Sequence, residues 1–347
     1  MGETWPNVIT KLIGGHDLTR DEAAWAMSEI MSGNASAVQI AGFLVALRAK
    51  GEQVDEMAGL VEGLLEHAIT FDVPGNTVDI VGTGGDLLNT VNISTMASLV
   101  VAGAGVRVVK HGNRASSSSS GSADVLERLG VTLDLPAERV IEVAEQVGIT
   151  FAFAQTFHPT MKHTGEARKH LAVATVFNFL GPLINPAQPQ ASAIGVADLK
   201  MAGRMAGVLA ARGRHALVFR GEDEGLDEIS ISGPTRIWRV RDGQVTESVI
   251  SPQDFGIAVN PIETLRGGDP EHNAWVVRDV LGGKAGPIRD AVLLNAAAAL
   301  VAFEDAEGTG EDDLLVAMRR NLERARASID EGRALKVLDA WVHATRA

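Results

Sequence analysis

Apolar positions recur every three or four residues across residues 18–31 and 37–49, with Ser32-Gly33-Asn34 between them. This spacing predicts two amphipathic helices joined by a short turn, and residues 55–67 predict a third. The pattern changes at Phe71-Asp72-Val73-Pro74-Gly75-Asn76, a turn-rich stretch that marks the expected boundary between a small helical domain (1–72) and a larger one (73–347). Beyond it, β-branched runs at 78–81 and 106–109 bracket a helical stretch at 94–104, giving a strand–turn–helix–strand unit. Apolar runs at 193–196 and 216–219 then alternate with helical periodicity at 140–147 and 201–211. Alternation of this kind predicts an α/β fold whose mostly parallel central sheet is flanked by helices. Helical stretches at 282–302, 312–328 and 332–346 close the chain, and no internal repeat is visible.

Composition narrows the classes of function. With 347 residues and 46% hydrophobic content, the chain can bury a large core or a large and a small one. It has no uninterrupted apolar run of the ~18–20 residues that a membrane span requires, and its start lacks a basic segment followed by an apolar one. The expectation is a cytoplasmic enzyme with no membrane partner. The absence of cysteine excludes disulfides, thiolate metal sites and thiol nucleophiles. A formal net charge of −13 without a long Lys/Arg cluster argues against nucleic acid as a partner. A small phosphorylated ligand is compatible with that charge, because backbone N–H groups, hydroxyls and a metal can create a local positive potential.

Four segments carry candidate chemistry. Gly82-Thr83-Gly84-Gly85-Asp86 ends a predicted strand with glycines that let the chain turn and let a ligand approach bare backbone, although such a run is as readily an ordinary tight turn. It leads to Asn89-Thr90-Val91-Asn92-Ile93-Ser94-Thr95, where amide and hydroxyl groups can cap the next helix while its free N–H groups face a phosphate. The stretch Lys110 to Ser122, with five consecutive serines from Ser116 to Ser120, follows a predicted strand and precedes the helical Ala123-Asp124-Val125-Leu126. A flexible tether is not expected inside a compact domain, so Lys110, Arg114 and the serines read as donors to a pyrophosphate. In Gly221-Glu222-Asp223-Glu224-Gly225-Leu226-Asp227-Glu228, adjacent acids are often merely solvated, but Asp227 and Glu228 can also hold Mg²⁺ through oxygen ligands.

The histidines in Phe157-His158-Pro159-Thr160-Met161-Lys162-His163 and in Arg168-Lys169-His170 match no standard zinc spacing such as H-E-x-x-H. Arg168 is the more useful residue there, since a guanidinium can bind a substrate carboxylate bidentately. By spacing alone it is equally well a surface helix cation.

In order along the chain, Gly82 to Asp86, Asn92-Ile93-Ser94-Thr95, Lys110-His111-Gly112-Asn113-Arg114-Ala115, Ser122 to Leu126, Phe157-His158-Pro159, Phe177 to Pro186 and Leu226-Asp227-Glu228 resemble the anthranilate phosphoribosyltransferase family. Asp21-Glu22-Ala23-Ala24 and Phe43 to Gly51 extend the resemblance to the N-terminal helices. It implies a nucleoside-phosphorylase-type phosphoribosyltransferase whose small helical domain forms a homodimer, with a helical insertion around 160–185 packed on that domain. It also implies the substrates phosphoribosyl pyrophosphate (PRPP) and anthranilate, Mg²⁺, and the second step of tryptophan biosynthesis. PRPP would contact Gly82, Gly85, Asp86, Thr90, Asn92, Ile93, Ser94, Thr95, Lys110, His111, Gly112, Asn113, Arg114, Ala115, Ser116, Ser117, Ser118 and Ser122. Mg²⁺ would bind Ser94, Asp227 and Glu228, and anthranilate would lie near Gly82, His111, Asn113 and Arg168. The implied catalytic set is Lys110, His111, Asn113 and Arg168.

Departures from the family pattern cluster near the implied acceptor channel. Gln155 stands for a proline, Ser119 for a lysine, and Lys169-His170-Leu171-Ala172-Val173-Ala174-Thr175 for Arg-Glu-Leu-Gly-Ile-Arg-Thr; the loop before Asp227 is one residue longer. The rival readings are a pyrimidine nucleoside phosphorylase and a non-catalytic relative that binds a phosphorylated ligand or nucleic acid.

Overall fold

The first helices begin on residues that satisfy their free N–H groups. In the computed structural model, which describes residues 2–115 and 119–346, α1 (Trp5–Ile13) carries Pro6 in its first turn. Reciprocal capping boxes start α2 (Arg20–Met31) and α3 (Ala37–Lys50): Thr19 Oγ1 accepts from Glu22 N at 3.2 Å while Glu22 Oε2 accepts from Thr19 N at 2.6 Å, and Ser36 pairs with Gln39 in the same way. α4 (Val54–Leu65) completes the bundle. α1 lies before the first stretch that periodicity marks.

The chain then runs through β1 (Val78–Gly82), α5 (Ile93–Gly103), β2 (Val108–Gly112), α6 (Ser122–Leu129), α7 (Ala137–Val147) and β3 (Ile149–Phe153). It returns through α8 (Ala154–Phe157), α9 (Gly165–Leu171) and α10 (Phe177–Leu180) to β4 (Ala191–Gly195), α11 (Leu199–Ala211) and β5 (His215–Gly221). A hairpin of β6 (Thr235–Arg241) and β7 (Gln244–Ile250) follows, then α12 (Pro270–Leu281), α13 (Pro287–Ala306), α14 (Leu314–Asp330) and α15 (Arg333–Ala344). The sheet order is β3-β2-β1-β4-β5-β6-β7, with the first five strands parallel and β6 and β7 antiparallel. The mostly parallel sheet expected from the alternating pattern is therefore present, with an antiparallel edge.

Strand alternation divides the core. Ala193, Leu217 and Phe219 pack with α5 and α13, whereas Ile194, Val196 and Val218 pack with α11. The second cluster continues without a break into the helical bundle, taking in Val8, Phe43 and Leu60 together with Ala167, Phe177 and Leu183 from the 160–185 stretch. Arg48 on α3 reinforces this junction, pairing with Asp198 at 3.0 Å and stacking over Phe179. α13 is apolar nearly all round and correspondingly buried, its alanines letting α5 and α14 approach closely. No helix among the described residues is long and apolar enough to cross a membrane.

Strand order reverses direction at β1. The chain moves outward to β2 and β3, then returns to place β4 on the other side of β1. In a parallel sheet this leaves a crevice at the carboxyl ends of the central strands, where ligands bind.

Candidate active site

Two cavities open at that crevice. One, of about 290 Å³, lies among Gly84, Asp86, Asn92, Ser94, Asp227 and Glu228. The other, of about 540 Å³, lies among Ala154, His158, Met161, Arg168, Phe177 and Leu180. Gly82, His111, Gly112 and Asn113 line both, so the cavities meet along a shared wall.

The glycines of the first cavity divide their work. Gly84 and Gly85 hold φ of 68° and 87°, the left-handed turn that lifts the chain away from β1. Gly82 has a different reason. A Cβ there would lie 2.3 Å from Asp227 Oδ2, and one at Gly195 on β4 would lie 1.6 Å from the Asp227 carbonyl oxygen. The bare ends of β1 and β4 thus form the seat of Asp227, whereas the sequence suggests room for a ligand at Gly82.

Asp227 and Glu228 are 9% and 7% exposed, which rules out the solvated-loop reading. Asp227 Oδ2 accepts from Gly84 N at 2.6 Å, and Glu228 Oε1 accepts from Ser94 N, in the first turn of α5, at 3.1 Å. The extra length of the preceding loop is absorbed outside the cleft: Glu222 pairs with Arg236 on β6 and Glu224 accepts from Ser232. Burial, then the neighbouring Asp86, pushes the Asp227 carboxyl up to about 8; burial, then Asp227, raises Glu228 well above the ordinary range. At neutral pH a nearby cation favours the ionised form of carboxylates so placed. Among the described residues no cluster of three or more His, Asp or Glu closes a metal cage by itself. This donor set fits Mg²⁺, which characteristically takes one or two carboxylates and completes its shell with water and phosphate oxygens.

β2 ends at Gly112, past the 106–109 run, so Lys110 and His111 are strand residues with opposite outlooks rather than loop residues. Lys110 is 1% exposed and its Nζ donates to Ser94 Oγ at 3.3 Å and to the Ile80 carbonyl. Burial lowers its pKa, and the neighbouring charges of Asp79 and Glu228 oppose that shift. Its charge therefore sits behind the cleft floor, reaching the cavity through Ser94. Asp79 itself, on β1, accepts from His111 N at 3.1 Å and from Asn185 Nδ2 at 2.9 Å, while Asn185 also donates to the Val109 carbonyl at 2.8 Å. This staple of β1 to β2 explains the Asn185 of the motif. Ile93 and Thr95 are buried, and Thr90 bridges to Arg266.

Ser116, Ser117 and Ser118 lie outside the described residues. The neck of their loop is held by Asp124 on α6, whose Oδ2 accepts from Ala115 N at 3.0 Å and Gly121 N at 2.9 Å. The two strands of the neck touch so closely that a Cβ on Gly121 would lie 2.4 Å from Ala115 N. Arg114 does not present a free fork to the cavity: it is bidentate with Glu127 at 2.6 and 2.8 Å, reaches Asp124 at 3.2 Å and stacks over Phe153. Ser122 Oγ donates to the Asn113 carbonyl at 3.4 Å. Asp124→Ala is expected to weaken the binding of inorganic pyrophosphate about tenfold, the equivalent of one charge-assisted hydrogen bond. Calorimetric titration checks this, and an unchanged affinity would remove the clamp from the anion site.

In the second cavity, the His111 ring nitrogen Nδ1 lies 3.1 Å from the Gly181 carbonyl. A carbonyl only accepts, so Nδ1 carries the proton and Nε2, which has no partner among the described residues, carries the lone pair. Burial, then His158 at a ring separation of 5.1 Å, depresses His111 to about 3; burial depresses His158 to about 4. Both rings are neutral at physiological pH. Arg168, on α9, stacks over Phe177 at 5.4 Å, and no carboxylate pairs with it among the described residues. Gln155 Nε2 reaches Asn113 Oδ1 at 3.5 Å, a contact that a proline could not make. Ala172 ends α9 at φ 50°, the left-handed position that glycine fills with less strain.

The helical-bundle domain model of the glycosyl transferase family matches residues 6–68, and the a/b domain model of that family matches 74–335. The anthranilate phosphoribosyltransferase of an Arthrobacter species is 63% identical over 346 residues, covering 99% of this chain and 97% of the relative. The chain belongs to the anthranilate phosphoribosyltransferase family. As a member of that family it is a phosphoribosyl transferase of the glycosyltransferase class. The anthranilate phosphoribosyltransferase of Streptomyces griseus is 55% identical over 99% of this chain and 96% of its own. The crystal structure of the Thermus thermophilus enzyme superposes with a TM-score of 0.90 at 41% identity, covering 98% of this chain and 99% of that one. The Saccharomyces cerevisiae enzyme in complex with PRPP and Mg superposes with a TM-score of 0.87 at 28% identity, covering 99% and 98%.

Sequence reasoning passes over Gly195, Asp79 and the loop-clamping role of Asp124. A carboxylate three residues into a helix that follows a glycine-bounded loop is a capping signal, and it is the one available clue to Asp124.

Proposed function

We propose that this chain transfers the 5-phosphoribosyl group of PRPP to the amine of anthranilate, giving N-(5-phosphoribosyl)anthranilate and pyrophosphate, with Mg²⁺ held by Ser94, Asp227 and Glu228. This is the second step of tryptophan biosynthesis from chorismate. The observation that carries the reading is the pair of adjoining cavities: one is faced by buried acids and the glycine turn after β1, the other by an arginine without a carboxylate partner among the described residues. The first suits a metal-bound pyrophosphate and the second an aromatic carboxylate.

In the reaction the bond from ribose C1 to the pyrophosphate oxygen breaks, the amine nitrogen bonds to C1, and the amine proton leaves. No protein nucleophile is needed. The residues contribute position and preorganised charge. The backbone of Gly85 and Asp86 lines the phosphate side of the first cavity, held in place by the Gly84 bond to Asp227 and the loop-neck bonds to Asp124, and Lys110 places its charge beneath Ser94. Mg²⁺ held by Ser94, Asp227 and Glu228 would supply positive charge beside the departing pyrophosphate. Arg168 holds the anthranilate carboxylate, while Asn113 and the neutral His111 stand at the shared wall and orient the amine, His111 accepting at Nε2. An aromatic amine attacks unprotonated, so a strong general base is not required.

Loss of anthranilate fluorescence tests the whole reading: consumption is expected only with both PRPP and Mg²⁺ present. Consumption without PRPP, or none with the complete mixture, would overturn it. Release of free base from thymidine with inorganic phosphate would instead indicate a nucleoside phosphorylase.

The helical bundle is proposed to pair with a second copy. α1 and α3 leave Ile13, Val38 and Val45 exposed at 75%, 82% and 46% around the shallow apolar surface of Ala41 and Gly42. Light scattering is expected to give twice the chain mass, and Val38→Glu with Val45→Glu to give the monomer. A monomeric parent protein would sink the proposal.

A further inference from the structure

The floor of the donor cavity is held by a segment from the far end of the chain. Val91 N donates to the Leu265 carbonyl at 2.9 Å, Gly267 N donates to the Asn89 carbonyl at 2.8 Å, and Thr90 forms a bridge with Arg266. The approach leaves no room for a side chain: a Cβ on Gly267 would lie 2.9 Å from both the Thr90 carbonyl oxygen and Asn273 Oδ1. α12 starts immediately beyond, with Asp269 accepting from His272 N at 2.8 Å and Pro270 in the first turn.

Asn273, one turn into α12, is 2% exposed. Its Oδ1 accepts from Gly268 N at 2.9 Å and its Nδ2 donates to Asn92 Oδ1 at 2.9 Å. Asn92 Nδ2 in turn donates to the Ser120 carbonyl at 3.0 Å. The direction of this chain is forced. The Gly268 N–H requires an oxygen opposite it, so the amide nitrogen of Asn273 must face Asn92; Asn92 must then accept at Oδ1, which leaves only its nitrogen for Ser120. One buried amide therefore orients another, and the second ties the Gly82–Thr95 side of the cavity to the serine loop.

We propose that Asn273 is a positioning residue for the donor substrate: by fixing the Asn92 amide it sets the separation of the two loops that embrace PRPP. It touches neither substrate and acts through Asn92. The inference rests on the assignment of PRPP to the first cavity.

The test is a double-mutant cycle read with PRPP and Mg²⁺. Asn273→Ala and the near-isosteric Asn273→Asp, which keeps the acceptor for Gly268 but sets an oxygen against Asn92 Oδ1, are each expected to raise the KM for PRPP about tenfold. The KM for anthranilate should stay within about twofold of the parent value. In an Asn92→Ala background, Asn273→Ala should add less than about twofold, because the route is already cut. An unchanged KM for PRPP in a folded Asn273→Asp protein would overturn the proposal, as would multiplicative effects in the cycle. Stabilisation of the parent by PRPP and Mg²⁺ in thermal melts separates the two readings. A parent that is stabilised but does not consume anthranilate loses the proposed function, while a lower PRPP-induced shift in Asn273→Asp still supports the positioning role.

Discussion

Replacing Asp227 and Glu228 together by Asn and Gln is expected to lower kcat about 100- to 1,000-fold, the scale of losing a preorganised electrostatic group at a reacting centre, and to flatten the dependence on Mg²⁺. The same double variant is expected to melt at a higher temperature than the metal-free parent. Both effects come from one arrangement. In the unfolded chain the two acids titrate in the ordinary carboxylate range, near 4. In the fold, burial and mutual proximity push Asp227 to about 8 and Glu228 well upward. Between those limits the folded protein keeps protons that the unfolded chain has released, so the pair's contribution to stability falls as pH rises through that window. Asp79, raised to about 6 chiefly by burial, acts in the same direction; Lys110, whose pKa burial lowers, opposes it at higher pH. A cation at the pair displaces protons below about pH 8, so stabilisation by Mg²⁺ should be larger at about pH 8.5 than at about pH 6. Melting curves with and without Mg²⁺ at the two pH values check this. An Mg²⁺ titration unaltered by the double substitution would return both residues to a structural role.

Arg168→Ala is expected to raise the KM for anthranilate roughly 10- to 150-fold, since a charge-assisted hydrogen bond contributes about 1.5–3 kcal/mol. The KM for PRPP should hardly change. The guanidinium lies against the Phe177 ring, which restrains it without neutralising it, and no acid competes for it among the described residues. Phe177 thus preserves a positive charge for an incoming carboxylate. Arg168→Lys should recover only part of the loss, because an ammonium lacks the planar fork. Initial-rate measurements with each substrate varied in turn decide the matter, and parallel rises in both constants would exclude a role specific to the acceptor.

The parallel strands and the order of the phosphate-facing segments are legible because their signals are local. β1 is an apolar run that stops at glycine, and α5 starts where amide and hydroxyl side chains gather. The hairpin of β6 and β7 escapes the pattern, since charged Arg236, Arg239 and Arg241 interrupt its apolar positions, although Asp242-Gly243 at φ 52° and 73° is the usual two-residue turn. α12 escapes as well, with its cap at Asp269 and its proline at 270 standing in plain view. The partner of a side chain is legible only when both lie close in sequence. Gly82 looks like space for a ligand because its occupant, Asp227, belongs to a distant segment. Arg114 looks free because Glu127 reaches it only after α6 has formed.

Asn92 waits for Asn273 across 181 residues of chain, and Gly84 waits for Asp227 across 143. At translation rates of ~5–20 residues per second the longer interval lasts roughly 10–40 s. During synthesis the helical bundle and the first strands can therefore emerge and pack while the anion cradle still lacks its acids and its back wall. The protein leaves most of its own translation inert, and becomes competent only when α12 docks. A chain terminated between Ser122 and that helix, however well its first half folds, carries both halves of the phosphate motif without the segment that joins them.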